Sequence, residues 1–238
     1  MGYTTQDFAA GQWYLVGVQF EEVGSDAGTV AFDDLITMSG VTASAYDDQE
    51  SAGAEIQYFD GVGYDHFYYI SDAYDAQDND VGHDCWALDG YETTANKKSL
   101  GEGFWFKVPA TAISGTASMK VKGQVASDVS KTVSFAANTW KIVSNPFPVA
   151  LGLQNVTTTG VTAVAYDDQE SAGAEIQYFD GVGYDHFYYI SDAYDAEDND
   201  VGHDCWAKDG YITTGTQIPA GSAFWFKAKQ SGSMTFTL

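Results

Sequence analysis

The sequence predicts an all-β protein built twice, as two tandem, near-duplicate β-sandwich or small β-barrel domains. Three observations carry this. Residues 41–94 recur at 161–214, with 50 of 54 positions identical at an offset of 120. Apolar β-formers crowd short runs bounded by Gly, Asn or Pro. No segment carries a long apolar stripe at the helical period between helix caps.

Taken in chain order, WYLVGVQF at 13–20 reads as the first core strand. DLITMSG at 34–40 offers one helical turn and nothing longer. IQYFDGVGYDHFYYI at 56–70 reads as two strands around an Asp60-Gly61 turn, with Gly63 easing the bend. FWFKV at 104–108 is another strand, and MKVKG at 119–123 alternates with period two, as does MTFTL at 234–238. The flanks repeat more loosely: TTQDFAAGQWYLVGVQF at 4–20 matches KTVSFAANTWKIVSNPFP at 131–148, and LGEGFWFK at 100–107 matches AGSAFWFK at 220–227. All six tryptophans pair across the repeat, Trp13 with Trp140, Trp86 with Trp206 and Trp105 with Trp225. Two units follow, 1–122 and 123–238, joined through GQVASDVS at 123–130. Alike domains present alike surfaces twice, so head-to-tail stacking between chains is expected.

The charge is one-sided. Against 34 acidic residues stand 10 basic ones, all lysine, for a net charge of -24. Such a chain cannot displace counterions from nucleic acid, and it lacks the arginines that read guanine. An anionic membrane surface repels it, and phosphate-handling chemistry is disfavoured. The hydrophobic fraction of 45% supplies a packed core, so acidity here does not mean disorder. No run of about 18 apolar residues offers a membrane span. The first residues lack a signal peptide's basic start and apolar stretch, and the expectation is a mature extracellular or cell-surface chain with an added Met1.

Acidic residues crowd one stretch of each unit. Asp78, Asp80, Asp84 and Asp89 recur as Asp198, Asp200, Asp204 and Asp209. Asp78-x-Asp80-x-Gly82 sets alternating carboxylates before a glycine, with Asp89 at the twelfth position of that count. Calcium takes six to eight hard oxygens from such loops, so Ca2+ is the expected ion at these eight aspartates. The glycine falls one position early and helices do not flank the loop, so this is not an EF-hand. Tyr46-Asp47-Asp48-Gln49-Glu50 can add ligands from another loop, and the alternative is a solvated acidic surface.

His66, His83 and Cys85, repeated as His186, His203 and Cys205, combine imidazole and thiol, but their spacing fits no standard zinc site. Cys85 can bridge Cys205 or another chain, or both can be free and buried. No nucleophile elbow, zincin helix or phosphate loop is present, so no catalysis is expected. Tyr58, Phe59, Tyr64, Phe67, Tyr68, Tyr69 and Tyr74, with Trp86 nearby, offer either faces for sugar rings or β-core plus outward tyrosines.

Trp140-Lys141-Ile142-Val143-Ser144-Asn145-Pro146-Phe147-Pro148 resembles a motif of tandem β-repeat modules in secreted and surface-sorted bacterial proteins. Such modules continue with a Tyr-Asp-Gly-x-Gly-Tyr hairpin and a G-x-G-F-W-V-K strand. Here Tyr178-Phe179-Asp180-Gly181-Val182-Gly183-Tyr184 and Gly221-Ser222-Ala223-Phe224-Trp225-Phe226-Lys227 follow in order. The first unit has Phe59-Asp60-Gly61 and Gly101-Glu102-Gly103-Phe104-Trp105, but Val18-Gln19-Phe20 lacks the Asn-Pro. The resemblance implies a secreted or cell-surface β module without known catalysis. The reading that follows is an extracellular structural protein that self-assembles with itself into a filament, sheath or surface layer, stabilised by calcium. Its runner-up is a carbohydrate-binding or adhesion module with two equivalent sites.

Overall fold

A computed structural model describes residues 2–21, 29–92, 98–125 and 127–238. Thr93 and Thr94, which end the first near-identical segment, lie outside the described residues, as do Met1 and Ala126 of the 123–130 joint.

The chain is all-β, and its sheets are antiparallel. In the first half, Gly2–Phe8, Ile113–Gly123 and Ile36–Val41 form a three-stranded sheet in that order. Beneath it lies a six-stranded sheet in the order Trp13–Gly17, Gly103–Lys107, Glu55–Phe59, Tyr64–Ile70, Cys85–Leu88, Tyr91–Glu92. The second half repeats the plan with Ser130–Phe135, Gly232–Thr237 and Val156–Thr159 over Lys141–Ser144, Ala223–Lys227, Glu175–Phe179, Tyr184–Ile190, Cys205–Lys208 and Tyr211–Ile212. The turn expected at 34–40 is a single helical turn over Phe32–Leu35, and Ile36–Val41 continues as strand.

Each half buries its core between its two sheets. Phe8, Ile36 and Met119 from the three-stranded sheet meet Ile56, Phe67, Trp86, Phe104 and Phe106 from the six-stranded one. Period-two alternation does the sorting: Phe104 and Phe106 are fully buried, while Trp105 and Lys107 point to the opposite face. Truncating one of these phenylalanines to alanine costs about 3–5 kcal/mol through lost transfer energy and the cavity left behind.

The hairpin expected at Asp60-Gly61 joins Glu55–Phe59 to Tyr64–Ile70, paired from Phe59↔Tyr64 to Glu55↔Tyr68. Asp60 Oδ1 accepts the N–H groups of Val62 and Gly63, each at 2.8 Å, and Gly61 takes φ of 103°. The tip is left exposed, with Val62 at 94% and Val182 at 95%.

The halves meet through the outer faces of their six-stranded sheets. Leu15, Ile142 and Ala223 are buried there, with Phe59, Trp105 and Trp225 packed around them. Gly17 N–H donates to the Gly221 carbonyl at 2.9 Å, and Ser144 N–H donates to the Gly101 carbonyl at 2.8 Å. Position 144 matches 17, and 221 matches 101, so the two bonds are related as by a two-fold axis. A Cβ on Gly103 would lie 2.5 Å from Ala223 Cβ and 2.6 Å from Ile142 Cγ2, so the approach needs glycine. Within the chain the alike surfaces pair face to face.

Asn145, from the Asn-Pro-Phe-Pro stretch, is fully buried. Its Nδ2 donates to the Val149 carbonyl at 2.8 Å and the Ile218 carbonyl at 3.1 Å, while Phe147 N–H donates to Oδ1 at 3.0 Å. Removing this amide orphans buried groups, each worth about 1–3 kcal/mol. Asn145→Ala is therefore expected to lose about 2–4 kcal/mol in urea unfolding followed by tryptophan fluorescence. A loss below about 0.5 kcal/mol, typical of surface changes, would contradict the pinning role.

Candidate functional site

The acidic loops are built as turns. Asp75 Oδ1 accepts the N–H groups of Gln77 at 2.8 Å and Asn79 at 2.9 Å, while Asn79 Nδ2 donates to Asp75 Oδ2 at 3.0 Å. Asp80 Oδ1 accepts the Gly82 N–H at 2.8 Å. Asp78 sits at φ 61° and accepts the Tyr91 hydroxyl at 2.7 Å. Asp89, at φ 52°, opens the Asp89-Gly90 turn. The second half repeats the pattern, with Asp200 accepting Gly202 N–H and Asp198 accepting the Tyr211 hydroxyl, each at 2.8 Å. Aspartate suits these positions because a short carboxylate can bond its own backbone two residues on, and because it tolerates left-handed φ. Hydrogen bonds from Asn79 hold the Asp75 carboxyl below its ordinary value, as those from Asn199 do for Asp195.

Asp84 and Asp204 are exposed beside the two cysteines, and Asp89 and Asp209 are exposed in their turns. Among the described residues, no group of three or more His, Cys, Asp or Glu side chains is placed to hold a metal ion. The eight aspartates expected to bind calcium thus divide between turn bonds, tyrosine bonds and open surface.

The His and Cys residues are likewise separate. His66 Nδ1 lies 2.7 Å from Glu55, and His83 Nδ1 lies 3.1 Å from the Val81 carbonyl. His83 Nε2 also reaches Glu92 at 3.3 Å, a partner that becomes Ile212 in the second half. Cys85 and Cys205 are free and buried. Burial first, then the nearby Asp33, Glu92 and Asp84 charges, pushes the Cys85 thiol up to about 12, and burial raises Cys205 as well.

Of the two roles open to the aromatics around Trp86, Trp86 itself takes the core one. Trp86 and Trp206 are each 1% exposed, and Phe67 is equally buried, so none can meet a sugar ring. Trp86 packs on Tyr69 at 5.5 Å and Phe106 at 6.2 Å.

The other four tryptophans stand at the junction of the halves. Trp13 and Trp105 meet edge to face at 6.4 Å, and Trp140 and Trp225 do so at 6.2 Å. Each pair is completed by the hairpin of the opposite half. Phe179 packs on Trp105 at 5.6 Å, and Phe59 packs on Trp225 at 5.2 Å. One cleft, of about 330 Å³, is lined by Trp13, Gln57, Trp105, Phe179 and Tyr184. Its counterpart, of about 390 Å³, is lined by Trp140, Gln177, Trp225, Phe59 and Tyr64. Matching residues line both, with the contributing halves exchanged. Lys107 Nζ stands 5.2 Å over the Trp13 ring and Lys227 Nζ 5.3 Å over Trp140, so each ring has one face backed by a cation. Gln57 Nε2 donates to Glu55 at 2.8 Å and Gln177 Nε2 to Glu175 at 2.9 Å, fixing the amides at the cleft walls. Tyr64 and Tyr184 are partly exposed at the cleft walls, and the partial burial of Tyr64 raises its hydroxyl against the opposing effect of a hydrogen bond with Trp105.

Comparison of the chain with protein-family models, curated proteins and solved structures finds no match in any of the three. The clefts therefore rest on their own geometry.

A thiol held near 12 is almost wholly protonated at mildly alkaline pH, and the thiolate is the nucleophile. The native chain is expected to resist iodoacetamide under those conditions and to take up two carboxamidomethyl groups once unfolded, as read by intact mass. Rapid native labelling would contradict the burial of Cys85 and Cys205.

Proposed function

We propose that this protein binds neutral carbohydrate at its two equivalent aromatic clefts, acting as an extracellular glycan-binding or adhesion module. The observation that carries the reading is the paired cleft itself, with two tryptophans, a tyrosine and a fixed glutamine amide at each site. Sugar rings present apolar C–H faces above and below and hydroxyls at the rim. Aromatic planes take the faces, and a few placed polar groups orient the rim. Gln57 and Gln177 suit that second task, and the tyrosine hydroxyls add to it. The -24 charge restricts the ligand class, since acidic glycans are repelled at ordinary ionic strength. Two sites on one frame raise avidity toward a polymer, because the second contact is made at an effective concentration of order millimolar.

Affinity gel electrophoresis against a panel of neutral polysaccharides tests this. Wild type is expected to be retarded by at least one of them. Trp13→Ala or Trp140→Ala is expected to weaken retardation about 10-fold or more through lost avidity. Trp13→Ala/Trp140→Ala together is expected to remove it. Full mobility of wild type on every polysaccharide, or unchanged retardation of the double variant, would overturn the reading.

Self-assembly into a filament, sheath or surface layer is the second reading, favoured by one observation. Gly2–Phe8 is a seven-residue strand at the edge of its sheet, mostly exposed, with a single charged side chain to discourage pairing. In this reading calcium acts as a counterion between neighbouring chains, distributed over the acidic loops, rather than as the resident of any one of them.

A further inference from the structure

We propose that the core of the second half holds a binding site for a small neutral phenol, in the space that the Phe32 ring occupies in the first half. The two halves fill one place with different residues. In the first half Val30 pairs with Lys98, and a single helical turn begins at Phe32. In the second half Leu151 pairs with Ile218, and a tighter turn begins at Leu153. The following residue keeps the same task in both. Asp33 Oδ1 accepts the Trp86 N–H at 2.7 Å, and Gln154 Oε1 accepts the Trp206 N–H at 3.3 Å. Leu153 thus stands for Phe32, and Ile218 for Lys98. Both exchanges put a smaller side chain at the same spot.

In the first half the Phe32 ring meets Phe67 at 5.0 Å and Phe104 at 5.2 Å, both edge to face, with the Lys98 ammonium 5.5 Å from its centre. Phe187 and Phe224 repeat the two walls in the second half, but Leu153 puts no ring between them. A cavity of about 160 Å³ lies there, and Leu153, Ile176 and Ile218 complete its apolar lining. These five side chains are at most 3% exposed. Phe236 packs on Phe224 at 6.3 Å but is not part of the lining. A dry cavity of about 150 Å³ lined by Leu, Ile and Phe admits benzene, so the space suits one aromatic ring. The mouth is polar. Lys208 is exposed there, its Nζ donating to Asp185 Oδ1 at 2.7 Å, beside Thr216 and Gln217. The ligand's ring takes the edge-to-face contacts that Phe32 makes, while its hydroxyl can donate and accept at the mouth. Because Asp185 already pairs Lys208 and the chain carries -24, an arene carboxylate is disfavoured and a neutral phenol is not. The lining belongs to the core between the sheets, apart from the outer-face clefts, so the site stands or falls independently of carbohydrate binding.

The test is an NMR titration of the full chain with phenol, with cyclohexanol and benzoate as controls. Phenol is expected to saturate one site per chain, with NOEs from its ring protons to the methyl groups of Leu153, Ile176 and Ile218. Cyclohexanol, which offers no aromatic edge or face, and benzoate, which carries a charge, are expected to bind more weakly. Leu153→Phe, which installs the residue native to the other half, is expected to weaken phenol binding about 10-fold or more by filling the space. The NOEs are read on the native chain, so they decide the site even if that variant fails to fold. Several results would overturn the proposal. Phenol might fail to saturate, or give NOEs to Trp105 and Trp225 in place of the three methyl-bearing residues. Binding left unchanged by Leu153→Phe, or matched by cyclohexanol or benzoate, would do so equally.

Discussion

Where the two halves meet, Leu15, Ile142 and Ala223 pack side by side while Gly17 and Gly103 let the backbones close to bonding distance. This contact decides most of what the surface can do. It turns the outer faces of both six-stranded sheets toward each other and makes them share one apolar layer. It carries the 60–63 hairpin toward the second half, where a Cβ on Gly61 would lie 3.8 Å from Thr139 Cγ2. Each pair of outward tryptophans therefore receives a Phe and a Tyr from the opposite half. Neither half alone contains a complete cleft. Duplication matters here because a self-complementary face, once doubled in a chain, closes on itself and yields two equal sites.

The acidity is managed locally more than globally. The many carboxylates are spread over tight turns, where Asp60, Asp75 and Asp80 accept backbone N–H groups and replace bonds the sheet cannot supply. Two lysines are used with more selectivity. Lys98 is buried over Tyr58 in the first half, and Lys208 bonds Asp185 in the second. Near-identical sequence thus still places its cations differently, because the exchanges at 88/208 and 98/218 change which strand supplies the lysine on the core-side face of each six-stranded sheet.

Much of the fold was legible in the sequence, and the limits have physical causes. The repeat announced two copies, and the Asp60-Gly61 turn announced its hairpin because the turn chemistry is local. The aspartate loops were harder. Asp-x-Asp spacing serves both a calcium loop and a chain of Asx turns, and the Asp75…Asn79 pair is the signal of the turn that the structure shows. Tryptophan roles stayed open for another reason. In FWFK every position is aromatic or long, so the period of two gives no contrast to say which parity faces the core; the same ambiguity hid Trp86, whose inward orientation follows from its pairing with Tyr69. The contact between the halves was beyond reach, since it depends on small residues at 17 and 103 meeting Ile142, Ser144, Ser222 and Ala223 of the other half, far along the chain.

Amide hydrogen exchange at Gly17 and Ser144 tests the central claim most directly, that the halves form one unit through this contact. Their N–H groups donate across it, to Gly221 and Gly101. The account predicts protection comparable to that of Phe106 and Phe226 in the sheet cores, because opening either bond requires the whole contact to part. Exchange as fast as that of an exposed loop amide would show the halves to be independent, and the shared clefts would then have no fixed form.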